Sequence, residues 1–194
     1  MSTEATAGER AGILLVDDME DNLIALEAVL RSLNEPLVRA RSGEEAMKAL
    51  LRRRFAVVLL DIRMPGMDGF ETAANIKRLD QTKDVPIIFL TGTDADEGYA
   101  FRGYATGAAD YLTKPFDPWV LRAKVAVFLD LHRKNLQLEH MLAQEQTHLA
   151  QVGDRLTTLD GRLTDGDPPD LPALREQVRD LQRLVETFRQ GLRM

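Results

Sequence analysis

The sequence predicts an α/β fold in which a five-stranded, doubly wound parallel sheet is followed by two long helices. Up to about residue 130, short apolar segments alternate with segments whose apolar residues recur at helical spacing. The strand segments are continuous apolar runs, as expected of parallel strands that are covered on both faces. Beyond that point the apolar residues fall into heptads, the pattern of a coiled coil.

The first half of the chain is expected to begin with a disordered tail, residues 1–11. A helix is predicted to start after Ser42, a candidate N-cap with Glu45 as its capping-box partner. In chain order, we expect a strand at 13–16, a helix over 20–33, an edge strand at 37–41, a helix over 42–53 and a strand at 56–60.

The second half of the domain continues the alternation. In chain order, we expect a helix over 68–79, a strand at 86–90, a helix over 96–105, a strand at 109–112 and a helix from 118. The helix over 96–105 contains Gly98 and Gly103, each costing about 1 kcal/mol relative to Ala, so it is expected to be mobile. Asp117 and Pro118 suit the N-cap and first position of the last helix. Right-handed crossovers then favour a doubly wound parallel sheet, for which we predict the strand order 2-1-3-4-5, in a domain over residues 12–131.

The helix that starts at Pro118 is predicted to run to about residue 163. We assign Leu131 to a d position of the heptad, and seven of the ten a and d positions are then Leu. The a positions are Asn135, Leu142, Leu149, Leu156 and Leu163, and the d positions are Leu131, Leu138, Glu145, Val152 and Leu159. A turn at 164–170 and a second heptad helix at 171–192 predict an antiparallel helical hairpin over 132–194. Because a lone hairpin has one narrow seam, we expect a homodimer with a four-helix bundle, and the asparagine at an a position favours in-register pairing.

Composition limits the classes of function. The chain has 194 residues, a formal net charge of -6 and no cysteine. The charge gives no basic field for nucleic acid or anionic membranes, and the lack of cysteine excludes disulfides and thiolate metal sites. We see neither a signal peptide nor an apolar run long enough for a membrane span, so we predict a cytoplasmic protein.

Three carboxylates end two strands that are neighbours in the predicted sheet. Asp17 and Asp18 follow the first strand, and Asp61 ends the third, where a parallel sheet forms its ligand crevice. Carboxylates this close repel each other unless a cation is present, and an oxygen-only ligand set suits Mg²⁺. We therefore expect Asp61 to form an aspartyl phosphate, with Lys114 and Thr91 supplying a charge and a hydroxyl to the phosphoryl oxygens.

Together these residues closely resemble the receiver domain of two-component response regulators, a CheY-like, flavodoxin-like fold. The resemblance covers about residues 10–131 and rests on Asp17-Asp18, Asp61 with the run Met64-Pro65-Gly66-Met67-Asp68-Gly69, Thr91, and Lys114-Pro115-Phe116. It implies that a sensor histidine kinase phosphorylates Asp61, and that Asp17, Asp18 and the Arg63 backbone carbonyl help to hold Mg²⁺. It also implies that Tyr111 is a switch aromatic that moves with Thr91.

The output of such a domain is open to three interpretations. In the first, phosphorylation controls a coiled coil that dimerises or binds another protein, with no enzymatic output domain. From Asp130 onward there are nine Lys and Arg against eleven Asp and Glu, so a basic footprint for DNA is lacking. A DNA-binding tail is the second interpretation, and its basic residues would be Arg175, Arg179, Arg183, Arg189 and Arg193. In the third, His140 or His148 gives the hairpin a phosphotransfer or phosphatase role, although both, like His132, fall at solvent-facing heptad positions.

Overall fold

The central sheet is parallel and has the strand order β2-β1-β3-β4-β5, as predicted. The computed structural model describes residues 12–92, 107–164 and 171–191. The strands are β1 (Gly12–Val16), β2 (Leu37–Ala40), β3 (Phe55–Asp61), β4 (Ile87–Thr91) and β5 (Asp110–Thr113). The helices are α1 (Glu20–Leu30), which ends in a 3₁₀ turn at Arg31–Leu33, α2 (Gly43–Arg52), α3 (Gly69–Arg78), α4 (Pro118–Thr164) and α5 (Leu171–Gly191).

Successive strand residues point to opposite sides of the sheet, and among the described residues two helices pack on each face. One face packs its side chains, among them Leu14, Val58 and Phe89, against α2 and α3. On the other face, the buried residues of α1 and of the first turns of α4 pack on the sheet; they are Leu23, Leu26, Leu30, Leu121, Val125 and Leu129. The three central strands β1, β3 and β4 are thus buried on both sides, whereas β2 and β5 at the edges of the sheet are only partly buried.

Helix starts follow the predicted capping residues. Ser42 accepts a hydrogen bond from the backbone N–H of Glu45 at 3.2 Å, and the Glu45 carboxylate accepts one from the N–H of Arg41 at 2.8 Å. Asp68 caps α3 through the N–H of Glu71, and Asp117 accepts from the N–H of Trp119. These side chains satisfy N–H groups that have no partner within the helix.

The chain divides into two units, Met1–Arg133 and Lys134–Met194. The second unit contains the remainder of α4 and the whole of α5. These helices line a common recess, where Arg155, Thr158 and Leu159 lie beside Gln177 and Asp180. The antiparallel hairpin stays a prediction from the sequence. Within the described residues, no helix is both long and apolar enough to cross a membrane.

Some predictions fall on residues outside the described part of the chain. They are the tail at 1–11, the glycine-containing helix over 96–105 and nearly all of the turn at 164–170. The structures of these three segments therefore remain predictions from the sequence.

Gly69 allows α3 to begin directly against the end of β3. Its N–H donates a hydrogen bond to the carbonyl of Ile62 at 2.9 Å. A Cβ at this position would overlap the Asp61 carbonyl oxygen and the Ile62 Cα. Both are backbone atoms of a buried strand, so they have little freedom to move away.

The substitution Gly69→Ala should therefore lower the free energy of unfolding by about 1–3 kcal/mol, the usual cost of overpacking. Urea unfolding followed by circular dichroism measures the change. Gly153→Ala is the control, because a Cβ there meets nothing within 4 Å and Ala favours a helix interior. Equal stability of Gly69→Ala and the parent would contradict the close approach.

Candidate functional site

The three acidic residues come together at the carboxyl ends of β1 and β3. The register pairs Val16 with Leu60, which brings Asp17 beside Asp61. One carboxylate oxygen from each of Asp17, Asp18 and Asp61 lies within 4.8 Å of the others. Asp17 is fully buried, Asp61 is 8% exposed and Asp18 is half-buried. The cluster is therefore largely shielded from bulk water and open on the side of Asp18.

Lys114 joins two of these carboxylates. Its Nζ lies 2.8 Å from Asp17 Oδ2 and 2.8 Å from Asp61 Oδ1. The residue follows β5, and its backbone N–H donates to the Thr91 carbonyl at 2.6 Å, which fixes the end of β5 to the end of β4. With the carboxylates ionised, three negative charges and one ammonium leave a charge of minus two at the cluster, which suits a divalent cation.

Burial and charge act in opposite directions on Asp61 and Lys114. Burial raises the pKa of Asp61 above its ordinary value, and the nearby Asp17 adds to this, while the hydrogen bond and charge of Lys114 oppose it. Burial disfavours the Lys114 ammonium, but its hydrogen bonds to Asp17 and Asp61 raise its pKa overall. Lys114 is thus held protonated, and a further cation would favour the ionised form of Asp61.

Hydrogen bonds from the protein orient the remaining carboxylate oxygens. The side-chain amide of Asn22 donates to both oxygens of Asp17, at 2.9 and 3.0 Å, and the N–H of Met19 donates at 3.0 Å. The N–H of Arg63 donates to Asp61 Oδ2 at 3.1 Å. Sequence reasoning missed Asn22. The available signal was a polar amide in the first turn of α1, one helical turn after the acidic pair.

The Thr91 hydroxyl is buried at the end of β4, next to the strand that carries Asp61. Within the described residues its oxygen has no hydrogen-bond partner. A buried hydroxyl without a partner costs free energy, so such a group is usually held for a ligand or a water. Beside it, the guanidinium of Arg63 lies over Gly92, so closely that a Cβ at Gly92 would overlap it.

Other residues singled out from the sequence lie away from this cluster. Tyr111 is on the edge strand β5 and is 42% exposed. His140 and His148 are exposed on α4, and His132 is half-buried. Arg175, Arg179 and Arg183 are exposed on α5, where Arg183 pairs with Asp180 at 2.6 Å. Arg189 is on α5 as well, and Arg193 lies outside the described residues.

A family model for the response regulator receiver domain matches residues 13–126, a segment that holds the entire cluster. The chain belongs to the response regulator receiver family. Receiver domains belong to two-component systems, in which sensor histidine kinases phosphorylate them, and they bind Mg²⁺ through acidic residues. The oxygen-only donor set and short oxygen separations at Asp17, Asp18 and Asp61 fit such an ion.

Individual response regulators show the same likeness. The chain is 34% identical to the response regulator PleD of Caulobacter vibrioides over 170 residues, which are 85% of this chain and 37% of PleD. It is 34% identical to the protein PilH of Pseudomonas aeruginosa, over 55% of this chain and 88% of PilH. A solved structure of a putative response regulator from Chloroflexus aurantiacus matches with a TM-score of 0.58 and 34% identity, covering 63% of this chain and 99% of that one. The chain spans only 37% of the length of PleD, so the activity of full-length PleD does not carry over to this chain.

Removal of the Lys114 charge should make the stability of the protein depend more strongly on a bound cation. In Lys114→Met the carboxylates of Asp17 and Asp61 lose their shared partner, and we expect about 1–3 kcal/mol lower stability, since a partly buried pair is broken. Mg²⁺ should then raise the melting temperature of this variant more than that of the parent, because it replaces the missing positive charge.

Thermal unfolding in MgCl₂ and in NaCl of equal ionic strength measures this difference. The matched control is Lys83→Met, since Lys83 forms an exposed pair with Asp80 far from the acidic cluster. An identical Mg²⁺ response in all three proteins would show that the cluster does not bind the ion.

Proposed function

We propose that this response regulator accepts a phosphoryl group on Asp61 from a sensor histidine kinase in a Mg²⁺-dependent reaction. The observation that supports this most directly is the position of Lys114, whose ammonium contacts the Asp61 carboxylate. The buried hydroxyl of Thr91, which has no hydrogen-bond partner among the described residues, is a second support. Both groups can donate hydrogen bonds to oxygens of a phosphoryl group.

In the transfer, an oxygen of Asp61 attacks phosphorus and forms a P–O bond while the P–N bond to the kinase histidine breaks. Lys114 and Thr91 bind the phosphoryl oxygens. Asp17, Asp18, Asp61 and the Arg63 backbone carbonyl would hold Mg²⁺, which neutralises charge on the transferring group when bound. The N–H of Arg63 donates a hydrogen bond to Asp61, which keeps the backbone of Arg63 beside the nucleophile.

The switch is proposed to couple Thr91 to Tyr111. Movement of the Thr91 hydroxyl toward a phosphoryl group would empty space beside β4, and the half-exposed Tyr111 on the adjacent β5 could turn into it. A local charge would then bias a two-state element of the fold.

For the domain organisation, we propose a receiver at residues 12–131 and an output hairpin at 132–194. The first turns of α4 belong to the receiver core through Leu121, Val125 and Leu129, and the same helix continues into the hairpin. The hairpin would carry the output by forming a homodimer or by contacting another protein, rather than through a second catalytic site. A cytoplasmic location remains a prediction from the sequence.

Acetyl phosphate with Mg²⁺ should add one phosphate to the protein, and Asp61→Asn should abolish the addition because an amide oxygen is a poor nucleophile. Intact-protein mass spectrometry measures it, and EDTA should suppress it. The control Asp80→Asn removes an exposed carboxylate outside the cluster and should leave labelling unchanged. Labelling that persists in Asp61→Asn would assign the nucleophile to another residue.

A further inference from the structure

Both helices of the hairpin leave one column of apolar side chains exposed. On α4, Val152 and Leu159 are half-buried, and so are Leu174 and Leu181 on α5. The other column is open to solvent and is called the open stripe; it consists of Leu138, Leu142, Leu149 and Leu156 on α4 and of Leu171, Val178 and Val185 on α5. These side chains are between 41% and 60% exposed, far more than a hairpin closed on itself would leave.

Part of the open stripe lies beyond the end of the partner helix. In the antiparallel hairpin predicted from the sequence, the recess that Arg155 and Leu159 share with Gln177 and Asp180 puts Gly191, the last described residue of α5, roughly level with Glu145 at ~1.5 Å rise per residue. Leu138, Met141 and Leu142 precede that level and are 57–63% exposed. Within the described residues, α5 therefore leaves this part of α4 uncovered.

We propose that a second copy of this chain covers the open stripe, with the two α4 helices side by side and pointing in the same direction. This inference rests on the proposed output through the hairpin and names its surface. Parallel, in-register pairing sets each of Leu142, Leu149 and Leu156 against its own copy, so the whole column is buried. The arrangement is a two-helix coiled coil near Leu138 that becomes a four-helix bundle where α5 joins.

Charge and polarity along the seam agree with the parallel direction. Lys134 is at a g position and Glu139 at the following e position, so a parallel pair sets opposite charges together on both sides of the seam. Asn135, at an a position, meets its own copy. An antiparallel pair that matches Leu138 with Leu142 instead brings Glu139 against its own copy. It also sets Leu156 opposite Lys124, a residue that pairs with Asp110 in the receiver.

Glu145 is the weak position of this interface. It is at d between Leu142 and Leu149, and parallel pairing brings its carboxylate close to that of the second copy. Two like charges within an apolar seam oppose association. The antiparallel alternative has the reverse consequence, since it would set Glu145 beside the Asn135 amide, a favourable hydrogen-bonding partner.

Sedimentation equilibrium of the full chain, before and after treatment with acetyl phosphate and Mg²⁺, tests the surface. We expect a dimer in at least one state, and Leu142→Glu should weaken it at least tenfold without loss of helix by circular dichroism. The control Gln137→Glu lies at a c position, outside the seam, and should leave the dimer intact. A monomer in both states, or a dimer that Leu142→Glu does not weaken, would overturn the proposal.

Direction is tested with two further variants. Since the chain has no cysteine, Leu138→Cys alone should form a disulfide-linked dimer under mild oxidation if the helices are parallel. Glu145→Leu should tighten the dimer at least tenfold. Cross-linking only in a mixture of Leu138→Cys and Leu142→Cys, together with a weaker Glu145→Leu dimer, would show the antiparallel arrangement and overturn the parallel one.

The phosphorylation assay on the parent chain separates this inference from the proposed function. A parent that is labelled at Asp61 but stays monomeric in both states would reject the open stripe as a dimer surface and leave the phosphoacceptor role in place. A parent that dimerises but is not labelled would reject the phosphoacceptor role alone.

Discussion

The contact of Lys114 with Asp17 and Asp61 is the interaction on which the site depends. Two carboxylates, one fully buried and one nearly so, lie where the ends of β1 and β3 meet, and their repulsion would be costly without a counter-charge. The ammonium supplies one positive charge, and it belongs to Lys114, which follows the edge strand β5. One ammonium does not balance three carboxylates, so the cluster keeps a net negative charge that suits a divalent cation.

The helix α4 belongs to both units of the chain. Its first turns are fixed in the receiver by Leu121, Val125 and Leu129, and by ion pairs from Lys124 to Asp110 and from Arg133 to Glu35. The Glu35 side chain is only 11% exposed, so the Arg133 pair is more protected than an ordinary surface salt bridge. Beyond Arg133 the same helix carries the heptads of the hairpin. A change in the receiver that disturbs the first turns of α4 would therefore act on a helix that also belongs to the proposed output.

The sequence by itself determined the order and type of the described elements, because each depends on local chemistry. Continuous apolar runs predicted the buried strands, and Ser42, Asp68 and Asp117 marked helix starts through hydrogen bonds that span only a few residues. It also identified the acidic cluster, since carboxylates that end neighbouring parallel strands must meet at one edge of the sheet. The heptads beyond Asp130 predicted the two long helices that follow the sheet.

Only the tertiary structure decided the contacts that join distant segments. Asn22 was indistinguishable from other polar helix residues until its amide was seen holding Asp17, and Gly69 looked like a turn residue until β3 was placed against it. The lack of a hydrogen-bond partner for the Thr91 hydroxyl among the described residues is likewise a property of its surroundings, and so is the exposure of Leu142, Leu149 and Leu156. A heptad pattern states which side chains are apolar, but which of them remain uncovered depends on where α5 packs and where it ends.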